Sequence, residues 1–68
     1  MYTAITEHTL GEPYHVTILP GRASMRLIKS TLVLTGRRVV MLAHVGNSKE
    51  YRLVGTSYQF SVEIVYES

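Results

Sequence analysis

Seven basic side chains carry most of the chemistry this sequence can offer. Arg22, Arg26, Lys29, Arg37, Arg38, Lys49 and Arg52 all fall within one segment, where the only acid is Glu50. Seven bases less one acid leave that segment at +6, while the remainder holds Glu7, Glu12, Glu63 and Glu67 and no base, for −4 and a total of +2. Charge sorted in this way suits an anion-binding face, because guanidinium and ammonium groups spread along one surface neutralise phosphates whatever the base sequence. Acidic strands lying beside basic ones would produce the same sorting with no ligand at all. The seven bases are therefore candidate contacts for nucleic acid, or for an acidic protein partner. Tyr2, Tyr14 and Tyr51 add ring faces on which bases or partner side chains could stack.

Other reactive types are sparse. Cysteine and aspartate are both absent, so disulfides, thiolate-zinc centres and cysteine nucleophiles are ruled out, and only a glutamate could orient a histidine in a triad. None of Ser24, Ser30, Ser48, Ser57, Ser61 and Ser68 lies in a Gly-x-Ser-x-Gly elbow. His8, His15, His44 and Glu7 are the one reasonable set of metal ligands, and their spacing matches no recognised pattern. The glycines at 11, 21, 36, 46 and 55 fall one to a turn instead of clustering into a phosphate cradle. Neither catalysis nor a metal or other cofactor is expected.

The run Pro13-Tyr14-His15-Val16-Thr17-Ile18-Leu19 contains His-x-Thr on an expected strand. It resembles one half of the signature of the two-histidine phosphoesterases, which pair two such motifs on facing strands. The resemblance implies a histidine serving as acid or base and a hydroxyl holding a phosphate oxygen. It covers seven residues, and the second motif is missing: two places beyond His8 stands Leu10, and beyond His44 stands Gly46. A partly exposed strand histidine accounts for His15 without it.

The elements that must position these residues are mostly strands. Tyr58, Phe60, Val62, Ile64 and Tyr66 alternate with Gln59, Ser61 and Glu63, the period of a strand with one buried and one wet face. Residues 2–6 alternate weakly, as a short edge strand or an arm would. Gly11-Glu12-Pro13 is turn chemistry, and the strand after it sets Tyr14, Val16 and Ile18 on one face and His15, Thr17 and Leu19 on the other. Pro20-Gly21 suits the centre of a type II turn. Residues 22–30 are rich in helix formers and predict one short helix around 22–29 with Arg22, Arg26 and Lys29 along one side; read as a strand, the segment would make the chain all-β. Thr31–Thr35 reads as a strand, Gly36-Arg37 as a turn, and Arg38–Val45 as a hairpin partner that is apolar at consecutive positions and so central to the sheet. A polar loop at 46–49, a strand at Tyr51–Val54 and a turn at 55–57 lead into the final strand.

A mainly β, α+β fold follows: a single domain, 1–68, made of a small twisted antiparallel sheet or open barrel with one short helix. At 68 residues folding hides only about 60% of the surface of the unfolded chain, so self-association into a homo-oligomer is expected, with the last strand as the free edge. The longest apolar run, Val39–Ala43, is far short of the roughly 20 residues that cross a bilayer. The N-terminus has no basic opening followed by an apolar run, so a soluble, cytoplasmic protein is expected. The functional expectation is a small non-enzymatic binding module: for nucleic acid through the seven bases, or alternatively a protein-binding accessory or inhibitor acting through an Arg/Tyr surface or a free sheet edge.

Overall fold

The computed structural model describes residues 1–36, 43–45, 51–56 and 59–67. Along the chain these form β1 (Tyr2–Thr9), β2 (His15–Pro20), α1 (Met25–Thr31), β3 (Ala43–Val45), β4 (Tyr51–Thr56) and β5 (Phe60–Glu67). The strands make one antiparallel sheet in the order β2-β1-β5-β4-β3. Among the described residues β2 and β3 are opposite ends of that order, so the sheet is open and not closed into a barrel.

Alternation in β5 is as its sequence dictates. Val62 and Ile64 are fully buried, and Phe60 and Tyr66 of the same row pack against them, while Glu63 between them is exposed. Tyr58 lies outside the described residues. Ile5 of β1 joins Val62 and Ile64 from the sheet, and Ala23 and Ile28 close over them from the helical segment. Ser24 caps α1: its backbone is extended and its hydroxyl accepts from the Leu27 N–H at 3.2 Å, filling one of the donors a helix start leaves open.

Four expectations about order are corrected. Residues 2–6 belong to no edge or arm, since β1 runs to Thr9 and sits between β2 and β5. The last strand is the middle of the sheet, not a free edge, because β1 and β4 bond to its two sides. The run expected at the centre supplies β3 at the margin, with 38–42 outside the described residues. Thr31–Thr35 is no strand: Thr31 ends the helix, Leu32 turns extended, and the residues after it bend across the sheet.

What holds that bend is a buried acid. Thr3, Ile5 and Glu7 form the inward row of β1, all at 0% exposure. Glu7 Oε1 accepts hydrogen bonds from the backbone N–H groups of Val33 (2.9 Å), Leu34 (3.0 Å) and Thr35 (3.2 Å) and from the Thr35 hydroxyl (3.0 Å), and Oε2 accepts from the Val33 N–H (3.1 Å). Successive N–H groups aimed at one point form an anion-binding concavity. Here the anion comes from the chain itself.

Thr3 does similar work at the other end of β1. Its hydroxyl donates to the Gly21 carbonyl at 2.8 Å and accepts from the Ala23 N–H at 2.9 Å, tying the turn between β2 and α1 to the sheet. Thr3→Val keeps the shape and leaves both backbone groups short of a partner, so it is expected to lower stability by about 2 kcal/mol in urea unfolding. A variant as stable as the wild type would show that the turn is held by other means.

Candidate functional site

β2 is an edge strand that faces the wrong way for its composition. In register, Thr3, Ile5 and Glu7 of β1 stand opposite Leu19, Thr17 and His15 of β2, and opposed residues of neighbouring strands share a face. The half-buried row His15, Thr17 and Leu19 is therefore the one on the helix side, while Tyr14, Val16 and Ile18 stand outward at 68%, 58% and 57% exposure. A slip of one residue would reverse the rows. The bonds of Thr3 to Gly21 and Ala23 and of the Gly21 N–H to the Met1 carbonyl prevent it.

Tyr2, 41% exposed, continues the outward surface onto β1, where Ala4 and Thr6 lie opposite Ile18 and Val16. Tyr14 is not loose: its ring stacks on that of His8, with centroids 4.4 Å apart and planes 21° from parallel. The result is a tyrosine- and valine/isoleucine-lined patch on the outward side of β1 and β2. Large exposed apolar side chains grouped on one element mark an interaction surface, whereas scattered ones do not.

Among the described residues no strand pairs with the outer edge of β2. The bond from the Gly21 N–H to the Met1 carbonyl makes that directly opposed couple a hydrogen-bonded one, and such couples recur every second residue. Leu19, Thr17 and His15 thus spend their backbone groups on β1. Val16 and Ile18 turn theirs outward, as does the Pro20 carbonyl. Proline sits where the missing N–H costs the sheet nothing.

Compared with protein-family models, with curated proteins and with solved structures, the chain matches none.

The seven bases are placed unequally. Arg22 precedes the Ser24 cap and so is not on the helix with Arg26 and Lys29; its guanidinium lies 4.6 Å from the centre of the Tyr66 ring. Tyr66 in turn donates its hydroxyl to the Ala23 carbonyl at 3.2 Å, so Arg22 is held against a braced ring. Arg26 and Lys29 are exposed on α1, three residues apart and on one side. Arg37, Arg38 and Lys49 lie outside the described residues, and Arg52 is in β4 opposite Val65. The described side chains do not bring these bases onto the outward side of β2.

Glu7 is committed to the 33–35 amides and His8 to Tyr14, while His44 lies in β3 opposite Leu53. Among the described residues no group of three or more His, Cys, Asp or Glu is placed to hold a metal. His15 and Thr17 share the half-buried inward row.

Proposed function

We propose that this protein is a non-catalytic protein-binding domain whose working surface is the outward side of β2. One observation carries this reading: Val16 and Ile18, with Tyr14 just before them, are exposed together along β2, whose outer edge no strand pairs among the described residues. An extended partner segment can add to such an edge through main-chain bonds and take its specificity from alternate side chains. Aromatic and branched apolar groups supply the anchors.

The test separates this from binding through the bases. Val16→Lys/Ile18→Lys changes two solvent-facing side chains and keeps the fold, as circular dichroism will verify, while Arg26→Glu/Lys29→Glu reverses the helix charge. Partners captured from nuclease-treated extract are expected to be lost with the first variant and kept with the second. Loss with the second variant, or with nuclease treatment alone, would overturn the reading in favour of nucleic acid.

A further inference from the structure

The geometry points to a second copy of this chain as the occupant of the β2 edge, paired antiparallel about a two-fold axis at Thr17. This rests on the reading of β2 as the binding surface and names what meets it first.

Three features of the strand fit it to itself. Edges that avoid self-pairing carry lysines, internal prolines or bulges. Between His15 and Leu19 β2 has no Lys, Arg, Asp or Glu and no proline, so no like charges would meet across a self-pair. The outward backbone groups also have the right spacing. With Thr17 opposite Thr17, Val16 of each copy is directly opposite Ile18 of the other, and these are the residues whose N–H and C=O groups face away from β1. Both bonds of each couple can form. One step further out, the Tyr14 N–H of each copy meets the Pro20 carbonyl of the other, and the absent Pro20 N–H leaves one gap at each end of the ladder.

Charge then selects the direction. An exposed acid, Glu12, precedes the strand and an exposed base, Arg22, follows it. Antiparallel pairing brings Glu12 of each copy to the end where Arg22 of the other stands; parallel pairing would put acid by acid and base by base. A two-fold axis of this kind contacts the same patch from both sides. It leaves both helices on one face of a continuous sheet, of ten strands when the five described strands of each copy are counted, and joins the two apolar rows on the other face. Val16 and Ile18 become cross-strand pairs, the unit in which sheets gain stability.

Sedimentation equilibrium of the purified chain is expected to show mass rising with concentration from 7.7 kDa to twice that. Val16→Lys/Ile18→Lys sets lysines directly opposite lysines and is expected to weaken association by about tenfold or more. Val16→Glu/Ile18→Glu does the same with acids. Mixing the two folded variants is expected to restore the dimer, because each lysine then faces a glutamate. A wild type that stays at single-chain mass at every concentration overturns the self-pairing. So does a dimer that both variants leave intact, or a mixture that remains monomeric. If the wild type is monomeric and the lysine variant still loses its captured partners, self-pairing fails while the binding surface stands; if the lysine variant keeps those partners, the surface fails too.

Discussion

Replacing Glu7 by alanine is expected to cost about 4 kcal/mol of folding stability, enough to leave a domain of this size largely unfolded under mild conditions. Glu7 Oε1 alone takes four donors, three of them consecutive backbone N–H groups. Truncation removes the acceptor and leaves those donors without the partner that gathers them. Glu7→Gln separates charge from shape. Its amide oxygen can occupy the Oε1 place and keep the same donors with less negative charge, while its NH₂ faces the Val33 N–H that Oε2 accepted at 3.1 Å. The expected order in urea unfolding is wild type, then Gln lower by about 1–2 kcal/mol, then Ala. Equal stability of all three would mean that the 33–35 bend is not fastened by this carboxylate.

Ile28→Ala is the second large effect, at about 3–4 kcal/mol. The helix has 7 residues, far below the length at which an isolated helix holds together in water. Ile28 is its one fully buried side chain, set against Ile5, Val62 and Ile64. The loss therefore combines a cavity with the undocking of α1, and it should remove helical circular dichroism before the sheet melts. Leu27→Ala is the control: at 47% exposure its neighbour is expected to lose less than about 1 kcal/mol. Comparable losses at both sites would place the helix on a different face.

What could be read from residues alone was what local chemistry decides. Phe60, Val62, Ile64 and Tyr66 alternate because the strand period imposes it, and Gly11 and Gly21 take positive φ, +85° and +68°, where turns need them. The helix was legible in kind but set three residues too early, because Arg22 and Ala23 are good helix formers and the cap at Ser24 outweighs propensity. Thr31, Val33 and Thr35 have the branching of a strand, yet Glu7, 26 residues before Val33, claims the backbone donors a strand would have used. A signal for this was present: Glu7 is in phase with Thr3 and Ile5, so an inward row ending in an acid required partners. In β2 alternation defined two rows without saying which faces in. Neighbouring strands settle that, and they half-bury His15, Thr17 and Leu19 in preference to the greasier row. Sorting of the bases was visible as charge, but charge along a chain says little about which bases share a surface, as Arg22 on Tyr66 illustrates.

Residue-resolved amide hydrogen exchange distinguishes the two sides of β2. In dilute solution Val16 and Ile18 are expected to exchange fast while His15, Thr17 and Leu19 exchange slowly, and raising the protein concentration is expected to slow Val16 and Ile18, together with Tyr14. Val16 and Ile18 as slow as their neighbours in dilute solution, or fast while the other three are fast too, would contradict that assignment of the two sides.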